Sequence, residues 1–364
     1  MRIAYAGLGW ATHAFHLPTL GGIPGGELVG GCDLSAERGR DWEERTRTPS
    51  FEGLDELIDA TGPELVVVAT PPGSHAELCV EALRAGVHVF CEKPFVSSLE
   101  EADRVIAAAE QADRRVAVNH EFREKPLFRA VRERIGAPDV GELVFCQIWQ
   151  LMDLPPWDEP VAWRRDMPNR TLFEGGVHLI DLLVTTFGEL PEAVYARHSS
   201  GLEDRDADAI HLVTLEFPGG RLAQLTIDRL CRAGTRYVEL RADCEQASLR
   251  ASLGGRAALQ VGKRRAERAG IRLDLASGGL AWEERGLKRR TLARNPRQAG
   301  MHATGELLKR IVAALEQGSE PPSSGREARE VLRVIEAAYE SARTGRRVEL
   351  VSEAAREPAA AAAV

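Results

Sequence analysis

The first 120 residues alternate short apolar or β-branched runs with stretches of helical periodicity, which is the pattern of repeated strand–helix–strand units. The clearest run covers residues 65–69, between Pro63 and Pro71, and its continuous apolar character indicates a strand buried on both faces. Strands are predicted near residues 3–6, 28–32, 50–51, 65–69, 87–91 and 116–119, with helices over 11–20, 74–84 and 98–111. Six strands with crossover helices predict a doubly wound parallel sheet.

After residue 120 the pattern changes to alternating strands, near 143–151, 193–198, 210–217, 222–227, 236–241 and 247–252. Such alternation predicts a mostly antiparallel sheet with one covered face, and helices follow over 303–317 and 325–343. The predicted fold class is therefore α/β plus α+β: an N-terminal Rossmann sheet and a C-terminal, open-faced, mostly antiparallel sheet domain flanked by helices. The predicted domains are 1–120 for dinucleotide binding, 121–350 for substrate binding, catalysis and oligomerisation, and 351–364 as a low-complexity tail.

Composition excludes several classes of protein. The net charge of −8 argues against a nucleic-acid partner, because such partners need a basic surface. The sequence has no apolar stretch of membrane-spanning length, and a strand directly after Met1 leaves no room for a secretion signal. The six cysteines lack metal-ligand spacing, which favours a reducing, cytoplasmic location. One exposed sheet face would suit a homo-oligomer, a dimer or a tetramer.

A glycine turn follows the first strand and starts a helix, reading Gly7-Leu8-Gly9-Trp10-Ala11-Thr12. The first glycine allows a tight turn and the second lets the backbone approach a pyrophosphate. Asp33 ends the second strand, where a carboxylate accepts hydrogen bonds from ribose hydroxyls and repels a 2′-phosphate. NAD is therefore the predicted cofactor. Arg38 could pair with that phosphate, so NADP stays open as an alternative.

Two segments carry the residues suited to catalysis. Lys93, in Glu92-Lys93-Pro94, follows the fifth strand at the sheet edge where ligands of such folds bind. His178 lies near the start of a later apolar helix, four residues after Glu174. Helical spacing would place the Glu174 carboxylate beside the imidazole, although Glu174 could equally cap the helix. A surface role for Lys93 is the alternative to a catalytic one.

Five further residues are candidates for substrate contacts. They are polar or aromatic groups after predicted strands, in a loop or near the histidine: His120, Arg123, Trp163, Arg164 and Asp181. An ordinary structural or solvated role is the alternative for each. No metal site is predicted, because His13 and His16 lack further ligands.

Together these segments resemble the Gfo/Idh/MocA family of oxidoreductases over nearly the whole chain. The resemblance rests on the order and spacing of Gly7-x-Gly9, His16-Leu17-Pro18, Thr70-Pro71-Pro72 with His75, Glu92-Lys93-Pro94, Asn119 with Arg123, and Gly176-x-His178-x-x-Asp181. Two positions depart from the family pattern: Glu174 stands where an aspartate is common, and Asn169-Arg170-Thr171 replaces a glycine triplet. The resemblance implies NAD(P), sugar, cyclitol or polyol substrates, and cofactor contacts from Thr70, Pro71, Pro72, His75, Glu92 and Lys93.

The predicted reaction is hydride transfer between the nicotinamide and a secondary alcohol or ketone. His178 is assigned as acid/base, because its ordinary pKa suits proton exchange near neutrality, and Lys93 as donor to the developing oxygen charge; the two roles could be exchanged. Two alternatives remain: a glycosidase or lyase that uses tightly bound NAD as a transient oxidant, and a non-catalytic dinucleotide sensor.

Overall fold

The computed structural model describes residues 1–159, 161–167, 169–202, 208–232, 237–254, 256–261, 269–274, 278–296 and 298–350. The predicted tail, 351–364, and the first residue of the strand predicted at 236–241 lie outside these ranges. The chain divides into two compact units. Unit 1 is Met1–Lys125 with Pro296–Leu332, and unit 2 is Pro126–Asn295 with Arg333–Val364. Residues 296–332, which the sequence assigned to the second domain, therefore lie in unit 1.

Unit 1 contains a six-stranded sheet in the order β3-β2-β1-β4-β5-β6, with every pair parallel. Its strands are β1 (Arg2–Ala6), β2 (Glu27–Cys32), β3 (Ser50–Phe51), β4 (Leu65–Val68), β5 (His88–Cys91) and β6 (Val116–Val118). Its first helices are α1 (Ala36–Thr46), α2 (Leu54–Thr61), α3 (His75–Arg84) and α4 (Leu99–Gln111). This strand order is that of a Rossmann fold, so the predicted doubly wound sheet is confirmed.

Unit 2 contains a nine-stranded sheet in the order β16-β15-β12-β11-β7-β10-β9-β8-β17, antiparallel except for the pair β7 and β10. Its strands are β7 (Leu143–Leu151), β8 (Ala193–Ser199), β9 (Ile210–Phe217), β10 (Arg221–Asp228), β11 (Val238–Cys244), β12 (Ser248–Leu253), β15 (Gly279–Arg285), β16 (Lys288–Arg294) and β17 (Val348–Glu349). A separate hairpin pairs β13 (Arg256–Val261) with β14 (Ala269–Asp274), and the helices are α5 (Pro126–Arg134), α6 (Ala162–Arg165) and α7 (Val177–Phe187). The predicted open-faced, mostly antiparallel sheet with flanking helices is confirmed.

The last two helices are α8 (Ala299–Glu316) and α9 (Gly325–Thr344). Helix α8 packs in the core of unit 1, where Leu307, Leu308 and Ile311 join a buried cluster with Tyr5 and Phe90. This arrangement is not visible in the sequence, because the pattern of an amphipathic helix does not indicate which sheet the helix packs against. Helix α8 therefore completes the hydrophobic core against the parallel sheet of unit 1.

The helix predicted over residues 11–20 is wrong in type. Residues Thr12–His16 form a π-helical turn, and Leu17–Gly22 form a 3₁₀ helix. Pro18 lacks an N–H, so it cannot donate the hydrogen bond that a continuing α-helix requires. Thr12 donates its hydroxyl to the carbonyl of Gly7 at 2.6 Å, which ties the π turn to the glycine turn before it.

Helices α1 and α2 were not predicted. Helix α1 buries only Gly39 and Trp42 and is otherwise strongly charged, so it has little apolar periodicity to detect. Its start is marked instead by Ser35, whose hydroxyl accepts a hydrogen bond from the Arg38 N–H at 3.4 Å.

Candidate functional site

The glycine turn after β1 is shaped by close backbone packing. Gly7 has a φ of +95°, and a Cβ there would lie 2.7 Å from the carbonyl carbon and oxygen of Ala69. Its N–H donates to the Cys32 carbonyl at 2.8 Å, which joins β1 to β2. Gly9 is different, because a Cβ there would meet no atom of the described chain within 4 Å. The turn therefore presents open backbone at Gly9, which fits a pyrophosphate approaching the start of the following helical segment.

Asp33 stands directly after β2, with its side chain 8% exposed. Its Oδ2 accepts the Leu8 N–H at 2.9 Å, and its Oδ1 accepts the Ser35 N–H, also at 2.9 Å. Arg38 lies 3.4 Å from Oδ2 through its Nη1. The carboxylate is thereby oriented beside the glycine turn, as ribose binding requires, and Arg38 is held by Asp33. The residues present fit the adenosine half of NAD.

Lys93 lies in the loop after β5. The residue before it, Glu92, is held by hydrogen bonds. The Glu92 carboxylate receives His16 Nε2 at 2.7 Å and Asn119 Nδ2 at 2.6 Å on Oε1, and the Lys93 N–H at 3.1 Å on Oε2. Burial raises the pKa of Glu92, but the hydrogen bond and charge of His16, the hydrogen bond from Asn119 and the charge of Lys93 outweigh it and bring the pKa to about 2. Glu92 is therefore an anion throughout the physiological range.

His75 starts α3 and is fully buried. Its Nδ1 lies 2.9 Å from the Pro94 carbonyl and 3.1 Å from that of Phe95, and its Nε2 lies 2.8 Å from the Thr70 carbonyl. Burial lowers the pKa of His75, although the three carbonyls and the charge of Glu92 act against this. The ring thus bridges the loop after β4 to the loop that carries Lys93, and any influence of His75 on a cofactor runs through those loops.

The remaining predicted cofactor residues lie on the two loops of unit 1. Trp10 is 70% exposed and packs edge-on against Phe15 at 4.9 Å between ring centroids. Leu8 is buried, whereas Ala11 is partly exposed at the end of the glycine turn. Pro71 is exposed and Pro72 is buried at the start of a 3₁₀ turn, and Thr70 receives the Ser74 hydroxyl at 2.8 Å.

Two predicted substrate residues follow β6 in unit 1. His120 is 1% exposed and Arg123 is 6% exposed. Arg123 Nη1 lies 2.5 Å from Glu327 Oε2 at the start of α9. This ion pair joins two residues of unit 1 and gives Arg123 a structural contact, which is the alternative that the sequence left open.

The other predicted residues lie in unit 2, around the start of α7. Thr171–Gly176 form a π-helical turn that runs directly into α7. Glu174 belongs to this turn, whereas His178 and Asp181 lie in α7 and are 6% and 0% exposed. Glu174 therefore does not cap α7, because it lies inside a continuous helical stretch.

Glu174 pairs with two arginines. Its Oε2 lies 3.3 Å from Arg229 Nη2, and its Oε1 lies 3.7 Å from Arg164 Nη2. Arg164 also stacks over the ring of Trp163 at 5.1 Å. The sequence analysis named Trp163, Arg164 and Glu174 as separate candidates. In the structure, Arg164 contacts both Trp163 and Glu174.

Arg229 was missed by the sequence analysis. It follows β10, is 1% exposed, and lies so close to Gly175 that a Cβ there would be 2.9 Å from its Nη2. Gly175 therefore provides the space that lets a buried guanidinium reach Glu174. A charged residue after a strand is common, so nothing local in the sequence distinguishes Arg229; only the glycine directly after its partner, Gly175, hints at a close approach.

The segment before Glu174 is anchored by a hydrogen-bond cluster that was also missed. Asp208 Oδ2 accepts the Thr171 N–H at 3.0 Å and lies 2.6 Å from the Tyr339 hydroxyl and 3.1 Å from His211 Nε2. The Tyr339 oxygen also accepts the Leu172 N–H at 3.0 Å. Burial raises the pKa of Asp208, but the hydrogen bonds from His211 and Tyr339 outweigh it and lower the pKa. Tyr339 on α9 thus fixes the turn that leads to His178.

Replacing Tyr339 with phenylalanine should lower the stability of unit 2 by about 1–3 kcal/mol, because the Leu172 N–H loses its acceptor and Asp208 loses a donor. A urea titration followed by circular dichroism measures this change. Tyr195, 40% exposed on β8, provides the matched control: Tyr195→Phe should leave the midpoint unchanged. Equal midpoints for Tyr339→Phe and the wild type would contradict an anchoring role.

Two searches of the described residues complete the description. No helix there is both long and apolar enough to cross a membrane. No group of three or more His, Cys, Asp or Glu side chains in the same ranges is arranged to hold a metal ion.

The parallel sheet, the glycine turn and the acidic residue after β2 define a Rossmann-fold protein suited to binding a dinucleotide. Comparison with protein-family models agrees. Residues 1–120 match a model described as an oxidoreductase family with an NAD-binding Rossmann fold, and residues 128–250 match the GFO/IDH/MocA C-terminal domain. The chain belongs to the Gfo/Idh/MocA oxidoreductase family, as the sequence resemblance indicated.

Individual relatives extend over different parts of the chain. It is 31% identical over 205 residues to 1,5-anhydro-D-fructose reductase of Ensifer adhaerens, covering 55% of this chain and 61% of that protein. It is 28% identical over 354 residues to D-apiose dehydrogenase of Paraburkholderia graminis, covering 94% and 88%. Among solved structures, an oxidoreductase from Agrobacterium radiobacter in complex with NAD⁺, L-tartaric acid and magnesium is similar with a TM-score of 0.79 at 20% identity, covering 96% and 98%. That structural similarity supports the fold.

Proposed function

We propose that this protein is an NAD-dependent dehydrogenase or reductase that acts on a secondary alcohol or ketone of a sugar, cyclitol or related polyol. The observation that carries the proposal is the Lys93 loop: in one compact unit, an ammonium-bearing residue follows β5 beside a largely buried, ionised Glu92, at the same sheet edge as the glycine turn. Ligands of open α/β sheets bind at this edge. Membership of the family supplies the reaction class.

Unit 1 is proposed to hold the cofactor. The backbone at Gly7, Leu8 and Gly9, with Trp10 and Ala11 after it, would face the pyrophosphate, and Asp33 would accept the ribose hydroxyls. Thr70, Pro71 and Pro72 would line the loop next to it, and His75 and Glu92 would support the backbone of Lys93. Bound NAD supplies the acceptor of a hydride, or in its reduced form the donor.

The proton is proposed to move through side chains of the protein. His178 Nδ1 or Nε2 would take the proton of a substrate hydroxyl in oxidation and return one in reduction, and the Lys93 ammonium would donate a hydrogen bond to the substrate oxygen. Exchange of these two roles gives the same overall reaction. Glu174 is proposed to orient the imidazole of His178, and its ion pairs with Arg229 and Arg164 hold its carboxylate in place.

Unit 2 is proposed to contribute substrate contacts. Trp163 is 37% exposed and, with Arg164, offers an apolar face next to hydrogen-bond donors, which suits a sugar ring and its hydroxyls. Asp181 is a further proposed contact in unit 2, and His120 and Arg123 are proposed contacts in unit 1. Two relatives support this substrate class, because one is named 1,5-anhydro-D-fructose reductase and another D-apiose dehydrogenase.

The direct test is turnover by the purified protein with NAD and with NADP against sugars, cyclitols, polyols and their keto forms, followed by the absorbance of the reduced nicotinamide. Reduction of NAD, or oxidation of NADH, with at least one member supports the proposal, and Asp33 predicts preference for NAD over NADP. Tightly bound NAD with substrate conversion but no net change in nicotinamide absorbance would point to transient oxidation, as in the glycosidase or lyase alternative. Binding of NAD without turnover would favour the dinucleotide sensor.

We further propose that the protein assembles as a homo-oligomer through the open face of the unit 2 sheet. One face of this sheet is buried, whereas the other carries Trp149, Leu212 and Leu222, the two leucines being 48% and 42% exposed. Thr226 pairs with Trp149 on one side and Leu212 on the other, so these side chains form a row across three strands. A partly apolar open sheet face suits a second copy of this chain. The six free cysteines suit a reducing compartment, so a cytoplasmic location is part of the proposal.

Replacing Leu212 with glutamate is expected to convert the oligomer to a monomer, because a carboxylate on the open face would be desolvated on association. Light scattering after gel filtration measures the mass directly. Leu287, fully exposed in the turn between β15 and β16, is the matched control, and Leu287→Glu should leave the mass unchanged. A monomeric wild-type protein, or an unchanged mass for Leu212→Glu, would contradict this assembly.

A further inference from the structure

We propose that Thr12 is a positioning residue for Asp33: its buried hydroxyl holds the peptide group between Gly7 and Leu8, and that peptide group holds the carboxylate that favours NAD over NADP. Thr12 would then help to set the choice of cofactor without touching the cofactor itself. This inference deepens the proposed function and rests on the assignment of Asp33 to the ribose hydroxyls.

Thr12 is an unusual residue for its place in the glycine turn. It stands at the last position of Gly7-Leu8-Gly9-Trp10-Ala11-Thr12, where dinucleotide-binding turns have glycine or alanine so that helix and strand pack closely. Thr12 is 0% exposed, and a buried hydroxyl requires a hydrogen-bond partner inside the protein. That partner is the Gly7 carbonyl, which accepts the Thr12 hydroxyl at 2.6 Å.

The peptide group between Gly7 and Leu8 is held from both sides. Its carbonyl oxygen accepts the Thr12 hydroxyl, and its N–H donates to Asp33 Oδ2 at 2.9 Å. Because a peptide group is planar, this C=O and this N–H rotate together as one rigid unit. A rotation that breaks the bond from Thr12 therefore also misaligns the bond to Asp33.

The main chain on either side of this peptide group is fixed by the sheet. The Gly7 N–H donates to the Cys32 carbonyl at 2.8 Å, and the Asp33 N–H donates to the Phe51 carbonyl at 3.1 Å. These bonds hold the ends of β1 and β2 whether or not Thr12 carries a hydroxyl. Loss of the hydroxyl should therefore change the tilt of the Gly7–Leu8 peptide group and the orientation of the Asp33 side chain, while the strands stay in place.

The Asp33 carboxylate depends on the Leu8 N–H for the orientation of one of its oxygens. Oδ1 accepts the Ser35 N–H at 2.9 Å, whereas Oδ2 receives the Leu8 N–H at 2.9 Å and Arg38 Nη1 at the longer distance of 3.4 Å. The Asp33 side chain is 8% exposed and that of Arg38 is 58% exposed, so solvent weakens the arginine contact. The Leu8 N–H is therefore the firmer of the two donors on Oδ2.

The choice of cofactor follows from this orientation. A carboxylate held beside the turn accepts ribose hydroxyls and repels a 2′-phosphate. If Asp33 turns away, that repulsion weakens and Arg38 becomes available to pair with the phosphate. Loosening the peptide group should therefore weaken NAD binding and reduce the preference for NAD over NADP.

The experiment measures the dissociation constants for NAD and NADP by calorimetry on the purified, full-length protein and its variants. In Thr12→Val a methyl group cannot lie 2.6 Å from the Gly7 carbonyl oxygen, so the peptide group must tilt. The dissociation constant for NAD should rise by about tenfold, and the ratio of the NADP constant to the NAD constant should fall by about threefold or more. Thr12→Ser keeps the hydroxyl, and both values should stay within about twofold of wild type.

A matched control removes a similar hydrogen bond elsewhere in unit 1. Thr61 in α2 is 8% exposed, and its hydroxyl donates to the Leu57 carbonyl at 2.7 Å. Thr61→Val should lower the melting temperature, as Thr12→Val should, but leave NAD affinity and the NADP-to-NAD ratio unchanged. Thr12→Ala, the residue type that such turns accommodate, should change affinity and ratio in the same direction as Thr12→Val, and it provides the test if the valine variant does not fold.

A double-mutant cycle tests whether Thr12 acts through Asp33. Asp33→Ala should by itself lower the NADP-to-NAD ratio, because the group that repels the 2′-phosphate is removed. Adding Thr12→Val to Asp33→Ala should then change the ratio by less than about twofold, since two residues that act through one interaction do not have additive effects. A loss of stability alone would leave the ratio unchanged in every background.

The outcomes separate this inference from the proposed function. A lower ratio in Thr12→Val, its rescue in Thr12→Ser and its absence on top of Asp33→Ala support the positioning role. An unchanged ratio in folded Thr12→Val or Thr12→Ala, with a lower ratio in Asp33→Ala, overturns the inference and leaves the proposed cofactor site intact. Additive effects in the double variant likewise overturn it. An unchanged ratio in Asp33→Ala contradicts the assignment of Asp33 to the ribose, and the role of Thr12 fails with it.

Discussion

Replacing His178 with alanine is expected to lower kcat by about a hundredfold or more while the affinity for NAD is retained. The imidazole is the proposed proton carrier, and alanine leaves neither nitrogen to accept the substrate proton. Lys93→Ala should produce a loss of similar size, since the developing charge on the substrate oxygen would lose its donor. Steady-state kinetics on the substrate found in the panel measures kcat, and calorimetry measures the affinity for NAD.

An exposed histidine controls for the substitution itself. His302 lies exposed on α8, and His302→Ala should leave kcat and stability unchanged. Circular dichroism and a thermal melt of His178→Ala would detect loss of folding, because His178 is buried in the first turn of α7. Near-normal kcat in a folded His178→Ala protein would show that another group carries the proton.

The fold was predictable where the sequence repeats a strong pattern. Residues 65–69 read as a doubly buried strand, and β4 is indeed buried at all four positions. The strands of the second sheet alternate apolar and polar residues because one face packs on helices. The helix after the glycine turn was predicted with the wrong geometry, because hydrophobic periodicity does not register that Pro18 breaks the hydrogen-bond ladder.

Site residues were predictable where a residue type suited to binding or catalysis directly follows a strand of the parallel sheet. Gly7, Asp33 and Lys93 each follow a strand at the carboxyl edge, and the topology of a parallel sheet brings such positions to one side. The supports of these residues were not predictable. His16 and Asn119 are far from Glu92 in sequence, as Arg229 is from Glu174, and a single sequence contains no signal for a hydrogen bond between distant segments.

Replacing Gly7 with alanine is expected to destabilise unit 1 by about 2–5 kcal/mol and to abolish NAD binding, because two costs add. A side chain at a φ of +95° strains the backbone, and its Cβ would lie 2.7 Å from Ala69 and 2.8 Å from the Thr70 nitrogen, both main-chain groups that cannot rotate away. Either β1 or the loop after β4 must then move. A thermal melt measures the loss of stability, and calorimetry measures the affinity for NAD.

Gly9→Ala tests whether the turn binds the cofactor without disturbing the packing of the turn. A Cβ at Gly9 would meet no described atom within 4 Å, so the melting curve should match the wild type. The added methyl would instead occupy the space in which the pyrophosphate is proposed to approach the backbone, and the affinity for NAD should fall by about tenfold or more. Since folding and binding respond differently in the two variants, loss of affinity in Gly9→Ala cannot be attributed to unfolding. Unchanged affinity in that variant would mean that the dinucleotide does not pass over this turn, and the cofactor assignment in unit 1 would have to be abandoned.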